Sequence, residues 1–240
     1  MLLKNIVILI FGIYLIGNAA SVEVRITKVT GNVKVRYGVE EEWHPARTGM
    51  MLRDIDTILS GSDGSAQLLL MDGKVFQLGS NSYLDIVDLK SMDEKELFLF
   101  LMSKKVKDIK QQPDSNDRLK ISSVSVVHGN SKIEIDSTGM EKNNSNWSEQ
   151  ETNGAVALYI QKFYPNTIVK IKKLMAKYSS LEDEGKFYFY LAKSFDALEM
   201  EGQAKENFQL TVDYYKNMDS LNSEETHRLE EAENSLRSSK

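Results

Sequence analysis

The hydrophobic period of this chain is mostly two in its first half and helical in its second, and that shift limits the fold more than any other feature. From Val22 apolar and polar residues alternate: Val22, Val24 and Ile26 are separated by Glu23, Arg25 and Thr27, and Val29, Val33 and Val35 continue the beat around Gly31. Successive side chains of a strand point to opposite faces, so a period of two with β-branched residues predicts strands. More short strands are expected over Thr57–Leu59, Ala66–Met71, Lys74–Leu78 and Tyr83–Asp88. Gly61-Ser62-Asp63-Gly64 and Asp72-Gly73 separate them as turns, the Asp-Gly pair being a hairpin signal. After Asn153 the period becomes helical, with candidates at Ala155–Tyr164, Ile168–Tyr178, Asp183–Met200, Gln203–Asn217 and Ser223–Arg237. The expected fold class is therefore α+β and multidomain: an all-β module, sandwich-like or solenoid-like, followed by an array of α-helical hairpins.

The stretches between and before these parts complete the plan. Asp93–Gln112 reads as a helix, with acidic residues first and Lys104, Lys105, Lys107 and Lys110 late, matching the helix dipole. It is expected to pack on the β module, with a partner-binding or membrane-surface role as the alternative. Two further strands are expected over Leu119–Val127 and Lys132–Ile135, and residues 140–152, rich in Asn, Ser and Glu, read as a linker. At the start, Lys4 precedes an apolar run over Ile6–Ile16 and the small residues Gly17, Ala19 and Ala20. The run is shorter than the roughly 20 residues a spanning helix needs. It reads as a secretory signal peptide over 1–20, with an uncleaved anchor as the alternative. The domain plan is a signal peptide over 1–20, a β module with one helix over 22–139, a linker over 140–152 and a helical domain over 153–240.

Two ordered series resemble known families. The first runs from Val29-Thr30-Gly31-Asn32-Val33-Lys34-Val35 through Trp43-His44-Pro45-Ala46 and Gly49-Met50-Met51-Leu52. It continues with Asp54-Ile55-Asp56-Thr57-Ile58, Gly61-Ser62-Asp63-Gly64-Ser65-Ala66, Leu68-Leu69-Leu70-Met71-Asp72-Gly73 and Leu78-Gly79-Ser80-Asn81-Ser82-Tyr83-Leu84. This order resembles a FecR-type domain, which implies an exported, non-enzymatic β module used in protein contacts and signalling. The iron-transport regulator that names the family has a cytoplasmic sigma-factor-binding segment ahead of its membrane span. This sequence shows none before its apolar run, so an anti-sigma role is not expected. The second series is Tyr188, Leu191, Ala192, Phe195, Ala204 and Phe208 within Gly185–Lys216. It resembles a tetratricopeptide repeat, in which small residues let two helices approach while aromatic residues fill between them. The resemblance implies a concave face on the first helix of the pair, carrying Lys186, Phe189, Lys193 and Asp196 as partner-binding candidates.

Composition excludes much chemistry. The 240 residues include no cysteine and three histidines, and the net charge is −5. Thiolate nucleophiles, disulfides and Cys-ligated zinc are ruled out, and mild acidity speaks against nucleic-acid binding. His44, His128 and His227 lie in three separate regions. No P-loop, GxGxxG or nucleophile elbow appears. Asp54, Asp56 and Asp63 lack the oxygen-ligand spacing of a calcium loop and read as turn residues. Glu182-Asp183-Glu184 and Glu230-Glu231 read as solvated faces or first helical turns. No catalytic residue, metal or cofactor is expected. The leading expectation is an exported periplasmic adaptor that binds protein partners in the cell envelope, with no nucleic acid and no membrane contact beyond an uncleaved N-terminal segment. Signal relay across the envelope is the first alternative. A peptidoglycan or polysaccharide binder using Tyr37, Trp43 and Tyr83 is the second.

Overall fold

Among the described residues eight strands follow in order: β1 (Glu23–Thr30), β2 (Val33–Arg36), β3 (His44–Pro45), β4 (Met51–Arg53), β5 (Thr57–Ser60), β6 (Ser65–Leu70), β7 (Val75–Leu78) and β8 (Tyr83–Asp85). They form two antiparallel sheets, ordered β4-β1-β6-β7 and β3-β2-β5-β8. The computed structural model describes residues 23–111, 137–178 and 183–238, with the backbone alone over 104–111 and 137–146. The apolar run over 6–16 and the strands expected over 119–127 and 132–135 lie outside the described residues.

The two sheets share one apolar core. Val24, Ile26, Leu68, Phe76 and Leu78 enter it from the first sheet, and Val33, Val35, Ile58 and Leu84 from the second. The apolar beat slips by one residue between Ile26 and Val29, and the pairing of β1 with β6 shifts register between Ile26 and Lys28. Such a bulge re-aims the strand; here the Thr27 hydroxyl bonds the Gln67 carbonyl and side chain. Gly73, at φ 84°, turns β6 into β7 as the Asp-Gly pair requires. Asp56 is buried and accepts the Gly38 and Arg53 N–H groups at 2.9 and 2.8 Å, so it serves a turn. The last strand is shorter than the sequence suggests. Residues Ile86–Leu89 form a 3-10 turn that buries Ile86 and Leu89 three residues apart.

Six helices follow among the described residues: α1 (Glu94–Gln111), α2 (Ser137–Ile160), α3 (Tyr164–Lys177), α4 (Glu184–Ala197), α5 (Glu201–Lys216) and α6 (Ser223–Ser238). The overall layout is α+β. Asp93 and Glu96 cap the start of α1 reciprocally, and Asn222 and Glu225 do the same for α6. Pro165 sits in the first turn of α3, where its missing N–H costs nothing. Leu191, Ala192, Phe195, Ala204 and Phe208 are all buried where α4 meets α5.

Two expectations are corrected. Residues 140–152 are not an irregular linker; they lie within α2, which runs from Ser137 to Ile160. Polar side chains near its middle find partners: Glu151 is buried against Lys177 at 2.6 Å, and Gln150 donates to Asn81. Helix α1 packs on the helical array and not on the β module, since Leu97 joins the second core with Ile168, Leu174 and Leu191. Composition reports that a side chain is polar, not that a partner waits across space.

Helix α2 joins the two halves. Leu158 belongs to the β core and Ala155 to the helical core. Gly154 lies so close to β8 that a Cβ there would overlap the Tyr83 carbonyl oxygen. Lys170 of α3 is buried between Asp85, at 3.0 Å, and Asp88, at 2.7 Å. The Asn166 side chain donates to the Asp88 and Lys90 carbonyls at 2.9 and 2.7 Å.

Candidate functional site

An open cleft of about 540 Å³ lies between α4 and α6, with the end of α2 at one side. Its aromatic lining comes from Tyr159, Phe189 and Tyr190, and its charged rim from Lys193, His227, Arg228 and Glu231. The rings contact one another, with centroids 5.0 Å apart for Tyr159 and Tyr190 and 5.5 Å for Phe189 and Tyr190. Across the cleft Lys193 Nζ meets Glu231 Oε1 at 2.6 Å, and His227 Nε2 lies 3.7 Å from the other oxygen of Glu231.

A buried polar knot fixes α6 in this place. Asp183 caps α4 by accepting the Lys186 N–H at 2.9 Å. The same carboxylate accepts the Tyr215 hydroxyl at 2.9 Å and the Arg228 guanidinium at 2.9 Å. Arg228 Nε in turn donates to the Tyr215 oxygen at 2.7 Å. Three helices are thus tied at one point: α4 through its cap, α5 through Tyr215 and α6 through Arg228. Burial, reinforced by the Asp183 charge, raises the Tyr215 hydroxyl well above its ordinary value, so it remains a neutral donor.

The electrostatics of the cleft follow from its pairs. Burial pulls the Lys193 ammonium down, but the hydrogen bond and charge of Glu231 outweigh it and raise the group. Burial raises the Tyr159 hydroxyl, against the pull of Lys193, and likewise raises Tyr190 against Arg228. Lys186 is lowered, first by burial and then by the nearby Arg228 charge. Both phenols are therefore neutral hydrogen-bonding groups on an aromatic floor, beside fixed charges of both signs.

Of the four residues chosen from sequence, the structure brings Phe189 and Lys193 to the cleft. Phe189 lines the cleft but is mostly buried, at 6% exposure. Asp196 is exposed at the far end of α4, and Lys186 is half-buried near the polar knot; neither lines the cleft. Tyr159, Tyr190, His227, Arg228 and Glu231 were not legible as site residues. One signal existed for the α6 members: Glu224, His227, Arg228 and Glu231 recur at three- and four-residue spacing and so share a helix face. Glu231 is not simply part of a solvated face, because Lys193 claims it.

The second aromatic group is a joint. Trp43 stacks on Trp147 with centroids 6.2 Å apart, Tyr83 meets both edge-on, and the Arg36 guanidinium sits 5.2 Å from the Trp43 ring. Tyr83 is 9% exposed, so these rings are engaged with each other and with α2. Among the described residues no group of three His, Asp or Glu side chains is placed to hold a metal ion, and no helix is long and apolar enough to cross a membrane. Compared with known proteins, the chain matches no family model, no curated protein and no solved structure.

Proposed function

We propose that this protein is a non-catalytic, exported adaptor of the cell envelope, and that the cleft between α4 and α6 holds a segment of a partner protein. The observation that carries the reading is the make-up of the cleft. Three neighbouring rings form its floor, and Lys193, Arg228 and Glu231 stand at its rim. Aromatic anchors surrounded by charged and polar groups are the usual composition of the energetic centre of an interface. The FecR-like series over the β module and the tetratricopeptide-like series over α4 and α5 support the same class of function, since both families work through contacts. The apolar run near the N-terminus supports export.

A photo-cross-linking residue at His227, whose side chain is 76% exposed at the rim, tests this reading. It is expected to give one discrete adduct in the envelope fraction, and Lys193→Glu, which sets a second carboxylate against Glu231, should abolish it. The same residue placed at Gln209, exposed on α5, should give no such adduct. Equal adducts at both positions, or none at His227, overturn the reading. Sequencing the mature N-terminus separates export from relay: a start near Ala20 supports a released adaptor, and an intact apolar run favours an anchored signal-relay protein.

A further inference from the structure

Among the described residues, helix α1 leaves an apolar row uncovered. Leu97 is buried and docks the helix on the helical core, with Leu101 partly buried beside it. Phe98, Leu99 and Met102 are 53%, 57% and 42% exposed. Helical register extends this row to Val106 and Ile109. At 100° per residue, Phe98, Leu99, Met102, Val106 and Ile109 fall within one arc of about 100°, and Leu97 and Leu101 fall outside it. Lys105 and Lys110 occupy the register positions at the two borders of that arc.

Charge identifies the surface that would cover this row. The chain is acidic, with a net charge of −5, yet from Phe98 to Gln111 it carries four lysines and one aspartate. A local cationic segment joined to a flat row of Phe, Leu, Met, Val and Ile is the make-up of a helix that lies in the interface of an anionic bilayer. There the apolar row enters the acyl boundary and the lysines meet lipid phosphates. A second copy laid parallel would set the same lysines against each other, and an antiparallel copy, which would set them against Glu94 and Glu96, is told apart by the test below. We propose that α1 is a membrane-surface helix that lays its Phe98–Leu99–Met102 face on anionic lipid. This inference rests on α1 alone and is independent of the cleft.

The absence of cysteine supplies the test. Met102→Cys in the full chain takes a single environment-sensitive dye at the centre of the row. Vesicles of phosphatidylcholine and phosphatidylglycerol at about 2:1 should shift its emission to the blue, and about 0.5 M salt should reverse the shift. Leu99→Cys should respond in the same way, and Glu206→Cys on α5 should not, which separates this helix from binding through the N-terminal apolar run. Replacing Lys105 and Lys110 by Gln should weaken the response about thirtyfold, taking roughly fivefold for each lysine. No shift on anionic vesicles overturns the proposal, as does an equal shift on pure phosphatidylcholine. A dye already shielded without vesicles also overturns it, and sedimentation then tells a second copy from another segment of the same chain as the cover.

Discussion

Lys170 shows how much a single buried charge can carry. Its side chain is 5% exposed and lies between Asp85 and Asp88 at the seam between the β module and α3. The contact to Asp88 is a close ion pair that departs from hydrogen-bond geometry. Lys170→Met removes the closest charge that offsets burying Asp88, leaving Lys173 at 3.9 Å, and should destabilise the fold by about 3–5 kcal/mol, read by urea denaturation. The pH dependence follows from the same residues. Burial raises the Asp85 carboxyl, but the Lys170 charge and the bonds from Lys170, Tyr83 and Thr57 outweigh it and hold it below its ordinary 3.8. Burial lowers the Lys170 ammonium, but Asp88 and then Asp85 outweigh that and raise it above its ordinary 10.5. The Asp85 contribution is therefore present above about pH 4 and fades as pH falls through its depressed value. The Lys170 contribution is present below about pH 10.5 and fades only at higher pH. The melting temperature of Lys170→Met should fall less steeply than that of the wild type between pH 4 and about pH 2. Nothing in the local sequence marks this lysine, because its partners lie more than eighty residues earlier in the chain.

At the scale of the element, α2 is where sequence reasoning fell short. The run over 155–160 was legible as helix, but Ser, Asn and Glu over 140–152 hid the rest. Two glycines test how closely the helices are held. Gly154→Ala gains up to about 1 kcal/mol of helix propensity. It also drives a methyl group into the Tyr83 carbonyl, an overlap that costs about 1–3 kcal/mol, so the net effect should be a lower melting temperature. Gly202→Ala on α5 meets open space and should stabilise by about 0.4–1 kcal/mol. The strands of the β module were more legible. β2, β6 and β7 bury alternate residues, β1 does so up to its bulge, and the register shift in β1 coincides with the slip in the apolar beat. β3 and β4, two and three residues long, are too short to show a period.

At the scale of the whole molecule, the described residues hold two apolar cores joined by α2 and by the buried Lys170 cluster. Leu158, Ala157 and Phe163 reach into the β core while Ala155 and Ile168 serve the helical one, so neither half closes its core alone. Urea unfolding should accordingly be a single transition. Fluorescence of Trp43 and Trp147, which stack across the joint, should change at the same midpoint as the far-ultraviolet helical signal. Separate midpoints would show two independent units. The sequence by itself determined where the chain alternates, where it turns and where α1 and α6 begin, because strand period, Asp-Gly turns and capping pairs act between residues a few positions apart. It also determined that Phe189 and Lys193 share a helix face. Only the tertiary structure decided that α2 continues through a polar stretch, that Lys170 is buried, and that Tyr159, Phe189 and Glu231 meet at one cleft. Those outcomes depend on which surfaces come together, and the hydrophobic and ionic energies that select them are felt only once distant segments are in contact.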